Sequence, residues 1–200
     1  MLSLQEPPMP GAGFPADACG LDEVGRGALA GPLVAAAVRL DPLFRHPLLR
    51  DSKRLSEAQR ERIEPLIREA AQALEVFSVS AQLIDRHGIG WANRTAFERL
   101  LELVSAPLCL VDGNLRLNSP TRYVCVVRGD QLVPAISAAS IVAKVHRDRL
   151  MRALAVEYPQ YGWEGNKGYG SARHLQAISV HGLSPHHRRS FIHPREELPL

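Results

Sequence analysis

Asp22 and Glu23 stand side by side in "LDEVGRGALAGP" (residues 21–32), and the triplet Gly25, Arg26, Gly27 follows at once. Two further carboxylates close apolar runs, Asp112 in "PLCLVDGN" and Asp130 in "YVCVVRGD". Strand ends of an open α/β sheet are where ligands sit, and side chains from distant parts of a sequence converge there. Carboxylates within a few Å of one another repel and raise each other's pKa unless a cation lies between them. Oxygen-only donors favour a hard divalent ion, Mg²⁺ or Mn²⁺, over zinc. Two such ions about 3.5–4 Å apart activate a water and stabilise the leaving oxygen of an in-line displacement, so phosphodiester hydrolysis is the leading chemistry. Neighbouring strand residues point to opposite faces, so Asp22 and Glu23 share a ligand only if the strand bends or bulges there, which Gly25 and Gly27 make cheap. Each acid also has a plainer use as a turn former or helix cap, and "DGN" is turn chemistry in its own right.

The elements that must carry these acids follow from the apolar pattern. "CGLDEVG" and "GPLVAAAVRL" read as two strands, the second buried on both faces. In "RDSKRLSEAQRERIEPLIREAAQALE", Ser56 and Gln59 fit a capping box, and Ile63, Leu66, Ile67, Ala70 and Leu74 form one helical face. Pro65 is expected to kink or split that helix. "VFSVSA" reads as a short strand, "IGWANRTAFERLLELV" as a helix, and the runs ending in Asp112 and Asp130 as two more strands. A long helix is expected from about Pro134 to Glu157, its small residues "AISAASIVAK" allowing close packing on the sheet. Beyond Pro159 lie the aromatic and glycine-rich "YPQYGWEGNKGYG", a short helix from Ser171 to near Gly182, and "SPHHRRSF". The alternation predicts an α/β domain over 17–157, a helical segment over 158–200 and a loose tail over 1–16.

Composition bounds the rest. Two hundred residues with 46% hydrophobic content suit one domain with a proper core. There is no apolar run of membrane-spanning length and no signal-peptide pattern, so the expectation is a cytoplasmic protein without a membrane partner. Cys19, Cys109 and Cys125 are odd in number and sit in apolar runs, which predicts buried thiols. Net charge is +3, permitting a polyanionic partner. Of the 24 basic residues, three are lysine: Lys53, Lys144 and Lys167. Lys144, at helical spacing among alanines, either reaches a substrate or pairs with an acid, and Lys167 either contacts a phosphate or faces water. His174, His181, His186, His187 and His193 fit no common zinc spacing and are expected to be solvated or phosphate-facing, with "HHRRSF" part of a basic patch for a nucleic-acid backbone.

From Cys19 to Phe191 the chain resembles the type 2 ribonucleases H. The resemblance runs in order through "GLDEVGRGALAGPLVAAAV", "DSKRLS", "VDGN", "GD", "ISAASIVAKVHRDR", "YPQYGW", "NKGYGSARH" and "HRRSF". It implies a ribonuclease H-like fold, a mixed central sheet flanked by helices with a small C-terminal helical segment. It also implies endonucleolytic cleavage of RNA in RNA/DNA hybrids and 5′ to ribonucleotides embedded in duplex DNA, leaving 5′-phosphate and 3′-hydroxyl ends. Such an enzyme serves ribonucleotide removal in replication and repair. Carried over by position, the catalytic and metal-binding acids are Asp22, Glu23, Asp112 and Asp130, with Mn²⁺ or Mg²⁺ as the cofactor. The substrate-binding element is Gly25, Arg26 and Gly27, with Lys53 in "DSK" as a phosphate contact and Tyr169 in "KGYG" as the sensor of an RNA-to-DNA junction. The 2′-hydroxyl that marks RNA is displayed in a shallow minor groove, where bare glycine backbone reaches it. Asn166 departs from the resemblance, standing where histidine is usual. A junction resolvase would use similar acids without needing Gly25–Gly27 or Tyr169, a hybrid-binding protein would not need the acids, and a small-substrate phosphatase would lack the aromatic, basic C-terminal part. The expected assembly is a monomer.

Overall fold

The computed structural model describes residues 13–50 and 55–192. A five-stranded mixed sheet forms its centre, in the order β3-β2-β1-β4-β5. β1 (Cys19–Val24), β2 (Leu33–Leu40) and β3 (Ala71–Val79) form an antiparallel meander, while β4 (Cys109–Asp112) and β5 (Tyr123–Val126) run parallel to β1. β2 is buried on both faces, as its unbroken apolar run requires. Val34, Ala36 and Val38 pack on one side with Ile63, Ile67, Ile141 and Val142; Leu33, Ala35 and Ala37 pack on the other with Ala96, Phe97 and Leu100. The first layer belongs to α1 (Glu57–Ala70) and α5 (Pro134–Glu157), the second to α3 (Ile89–Leu103), preceded by the short helix α2 (Ala81–His87).

The long helix occupies its expected span and lies very close to β1. A Cβ on Gly20 would fall onto the backbone of Ala135 and Ile136, so glycine in the strand and small residues at the helix start together permit the approach. That closeness sets the α5 side chains against the acidic end of β1.

Three expectations are set against the tertiary pairing. α1 has its capping box, with Ser56 Oγ accepting from Gln59 N at 3.2 Å and Gln59 Oε1 from Ser56 N at 2.8 Å. It ends at Ala70, however, and Leu74 belongs to β3, because residues 71–79 pair along the whole of β2 and ladder hydrogen bonds override local helix propensity. Pro65 neither splits nor ends the helix; it lies on the exposed face. Leu66 beside it is exposed too, and the buried face consists of Ile63, Glu64 and Ile67. The cysteines are free thiols, Cys19 and Cys109 buried and Cys125 half-buried.

The C-terminal part folds back on the loop between β1 and β2. α6 (Trp163–Asn166) and α7 (Ala172–His181) follow a 3₁₀ turn at Pro159–Tyr161, and a further turn at Arg189–Phe191 ends the described residues. Gly168 O accepts from Leu29 N (2.8 Å) and Ala30 N (3.1 Å), while His186 O accepts from Gly31 N (2.9 Å) and Leu29 O from Arg188 N (2.8 Å). The loop is thus held between two C-terminal segments, under which Met151, Ala155, Tyr161 and Trp163 form a separate small core.

Candidate active site

β1 and β4 run in the same direction side by side, so their C-terminal ends place Asp22 with Glu23 and Asp112 at one edge of the sheet. The register with β2 continues unbroken through Asp22 and Glu23, and the chain turns only afterwards, at Gly25 (φ 90°). No bend or bulge occurs at the two acids, which sharing a ligand was expected to need; at the strand's end both nonetheless lie close enough to feel the charge of Asp112. Asp130 is also corrected: β5 ends at Val126, and Asp130 lies in α4 (Gly129–Leu132), reached through Arg128 in the left-handed conformation.

What joins these pieces is a hydrogen bond. Asp112 Oδ1 accepts from Gly129 N at 2.6 Å, tying β4 to α4 beside the buried Asp130. Asp22 is 7% exposed; its Oδ1 accepts from Glu23 N at 2.8 Å, and Ser140 of α5 also hydrogen-bonds its carboxylate. Burial, then the charges of Glu23 and Asp112, push the Asp22 pKa up to about 8. Glu23 is raised as well, by burial first and by Asp112, against the partial relief of Arg26, whose Nη1 is 3.4 Å from Glu23 Oε1. Asp22, Glu23 and Asp112 thus act on one another electrostatically.

Among the described residues no three His, Cys, Asp or Glu side chains already close around a point that could hold a metal ion. Each of three acids has an oxygen turned to a protein donor: Asp22 to Glu23 N, with Ser140 also bonding its carboxylate, Glu23 to Arg26, and Asp112 to Gly129 N. The donor set nonetheless fits a hard divalent cation in its chemistry. It is all oxygen, and carboxylates that raise one another's pKa are relieved by positive charge among them.

The two glycines of the triplet differ. Gly27 is exposed and a Cβ there would meet nothing, so its bare backbone is open to a ligand. Gly25 is buried at positive φ, and a Cβ would strike Arg147 of α5, 2.8 Å from Cδ, and Pro32 O at 2.9 Å. Its reason for being glycine is internal. Arg26 is exposed, and Tyr169, 41% exposed, stands on the adjoining loop. Lys53 lies outside the described residues. Lys144 Nζ donates to Ser140 Oγ at 3.3 Å, which links it through Ser140 to Asp22. Lys167 is 3.2 Å from Glu57 Oε1 and also bonds Glu164 O.

The basic patch expected of "HHRRSF" is mostly interior. His187 and Arg188 are buried and only Arg189 of this stretch's arginines is exposed. Arg188 Nη1 donates to Arg26 O (2.9 Å), and its Nε and Nη2 to Gly31 O (3.0 and 2.9 Å), gripping the 25–32 loop from beneath. Burial, then repulsion from Arg147, lowers its pKa to about 9.

His174 and His187, expected to be solvated or phosphate-facing, form a buried chain instead; His193 lies outside the described residues. Ser184 N donates to His187 Nδ1 (2.9 Å), which leaves the proton on His187 Nε2 to face His174 Nε2 (3.1 Å). His174 Nε2 also accepts from Trp163 Nε1 (3.0 Å), so His174 Nδ1 carries the proton donated to Tyr169 O (2.9 Å). Both rings are neutral in this arrangement. Asn166 serves the same loop, its amide bonding Tyr161 O and Gly168 N (both 2.8 Å).

This chain has a pH signature. Burial, then His174, His186 and Arg189, lowers the His187 pKa to about 4, while the unfolded ring titrates near 6.5. Between those values the unfolded state binds the extra proton, so stability falls as pH drops from about 6.5 to 4. The expected loss is on the order of 2–3 kcal/mol, seen in urea unfolding across that range, and His187→Gln, which cannot titrate, should show a flatter profile. An equally steep profile in the variant would place the acid sensitivity elsewhere.

Sequence reasoning missed Arg147, Arg188 and Ser140 as parts of the site. Arg147 had a signal: Ala139, Ala143, Met151 and Ala155 share its buried stripe at four-residue spacing, and a charge within such a stripe marks an internal partner.

Comparison with known proteins places the chain in a family. A family model described as Ribonuclease HII matches residues 19–194. Among curated proteins, the Ribonuclease HII of Cytophaga hutchinsonii is 44% identical over 90% of this chain and 92% of that protein. That of Ralstonia pickettii is 47% identical over 90% of this chain and 80% of its own. Among solved structures, the ribonuclease HII in the complex with PCNA from Archaeoglobus fulgidus superposes with a TM-score of 0.77 at 25% identity, covering 87% of this chain and 93% of that one.

Proposed function

Because the chain belongs to the ribonuclease HII family, we propose that Asp22, Glu23, Asp112 and Asp130 carry the reaction, and that Gly25–Gly27 with Tyr169 recognise the substrate. The protein is an endonuclease of the hydrolase class that acts on RNA/DNA substrates, cleaving RNA in hybrids and at ribonucleotides embedded in DNA with a divalent metal ion. Our reading makes that ion Mg²⁺ or Mn²⁺, held by the four acids. When bound it supplies Lewis acidity and charge neutralisation at the scissile phosphate.

The observation that carries the assignment is that buried Asp22 and Glu23 are both raised in part by the charge of Asp112 at the same end of the sheet, on the strand that leads into the open backbone of Gly27. Buried carboxylates that disfavour one another's charge are costly unless the site has a cationic partner to receive. Gly27 lets a nucleic-acid backbone approach without a side chain in the way, and Arg26 adds an exposed positive charge at the rim. Tyr169 presents an exposed ring to the sugar that follows the ribonucleotide; water would attack the phosphorus on the ribonucleotide's 5′ side and the P–O3′ bond would break, leaving 5′-phosphate and 3′-hydroxyl ends. Lys53 in the "DSK" stretch contributes a phosphate contact. Residues 17–157 serve as the catalytic body and 158–200 as the substrate-binding segment, in a monomer working in the cytoplasm. Among the described residues no helix is long and apolar enough to cross a membrane.

The test is cleavage of an end-labelled DNA duplex bearing one ribonucleotide, in Mg²⁺, Mn²⁺ or chelator, beside an RNA/DNA hybrid and an all-DNA duplex. One metal-dependent cut 5′ to the ribonucleotide is expected. Cutting of the hybrid alone would remove Tyr169 from its assigned role, and cutting of neither would remove the assignment of the acids.

A further inference from the structure

Arg147 is fully buried on α5, yet its surroundings are not those of an apolar filler. Its Nε donates to Pro32 O (2.9 Å), Nη2 to Ala30 O (3.0 Å) and Nη1 to Lys167 O (2.8 Å). The first two carbonyls belong to the loop that carries Gly25–Gly27, the third to the loop that carries Tyr169. The guanidinium carbon lies 5.3 Å from the centroid of the Tyr169 ring, and Gly25 rests on the other parts of the same side chain. One side chain therefore touches both recognition elements, and it is rooted in the long helix that also supplies Ser140 to Asp22.

Burying a guanidinium is costly before its hydrogen bonds are counted, and an apolar residue of similar volume would fill a helix stripe without that cost. Arginine differs from such a residue, and from lysine, in presenting donors in fixed directions in one plane. Here those directions select three carbonyls on two loops, and the flat cation also meets an aromatic face. Such an arrangement specifies a distance between loops rather than adding bulk to a core.

We propose that Arg147 is a positioning residue for substrate selection. It sets the spacing between the Gly25–Gly27 backbone and the Tyr169 ring, and so favours a ribonucleotide followed by deoxyribose over one within continuous RNA. The inference rests on the reading of Tyr169 as the residue that meets the sugar after the ribonucleotide. Arg147 touches no substrate itself.

The experiment compares the rate of cutting at a single embedded ribonucleotide with that in a continuous hybrid for Arg147→Lys, Tyr169→Ala and the double variant. Arg147→Lys keeps the charge and loses the fork, so the ratio should fall about tenfold, by loss of orientation. The double variant should show the ratio of Tyr169→Ala alone. If Arg147→Lys slows both substrates equally, its role is structural and the proposal fails while Tyr169 keeps its part. If Tyr169→Ala leaves the ratio unchanged, the reading beneath the proposal fails, and the proposal with it. A readout that needs no Arg147 variant is the ¹⁵N-detected Arg147 Nε–H resonance of the wild-type protein. It should shift when the uncleaved duplex with one ribonucleotide binds in Ca²⁺ and not when an all-DNA duplex does; an unmoved resonance would overturn the proposal.

Discussion

Asp22→Asn and Asp112→Asn are each expected to slow single-turnover cleavage by about a thousandfold or more, while leaving the protein folded and, in chelator, at least as stable as wild type. The rate loss follows from the proposed role of these acids, since each substitution removes a charged oxygen donor for a divalent cation at the phosphate. The stability follows from the environment. Asp22 is 7% exposed and its charge is opposed by burial and by two neighbouring acids, so a neutral side chain of the same shape relieves more than it loses. The amide that replaces the Asp22 carboxylate retains an oxygen for the Glu23 N–H, and the amide that replaces Asp112 still accepts from Gly129 N. Thermal melts in chelator and rapid-quench cleavage in Mn²⁺ measure the two halves. Activity within about tenfold of wild type would remove these carboxylates from the reaction. A large drop in melting temperature would show that their charge holds the fold.

Trp163→Ala should cost about 3–5 kcal/mol, the general range for deleting a buried large aromatic, and should weaken cutting at single ribonucleotides beyond what the lost stability explains. Trp163 is wholly buried in the small C-terminal core, stacked on Tyr161 with ring centroids 5.0 Å apart. Its Nε1 donates to His174 Nε2, and His174 in turn holds Tyr169 O, so the variant both opens a cavity and loosens the chain behind Tyr169. Urea unfolding measures the first effect. The second is read at a temperature where the variant is fully folded, as the ratio of embedded-ribonucleotide to hybrid cleavage. A loss under about 1 kcal/mol would mean that the C-terminal segment packs without Trp163 as its anchor.

The same interior explains what was legible before folding. The apolar run of β2, the capping box at Ser56 and Gln59, and the span of α5 from Pro134 to Glu157 are set by local pattern, and the structure has all three. Residue type and spacing also marked Asp22, Glu23 and Asp112, because acids at the ends of apolar runs have few uses in a core, and the sheet does bring these three to one edge. Asp130 was singled out as the acid closing an apolar run, although β5 ends four residues before it. The left-handed Arg128 and the turn into α4 depend on the hydrogen bond from Gly129 to Asp112, far back along the chain.

What the amino-acid order determined by itself was therefore the family, the strands and helices with strong periodicity, and which acids meet at one end of the sheet. What only the tertiary structure decided was the use of the residues that look basic. Arg188, His174 and His187 read as solvent- or phosphate-facing groups because charge and polarity ordinarily stay in water, and Arg147 was not singled out. They lie inside because two loops and a returning C-terminal segment leave backbone carbonyls and ring nitrogens unpaired by any ladder, and buried acceptors must be met by buried donors. That need exists only once the loops are brought together, so apart from the buried stripe around Arg147 no spacing along the chain announces it.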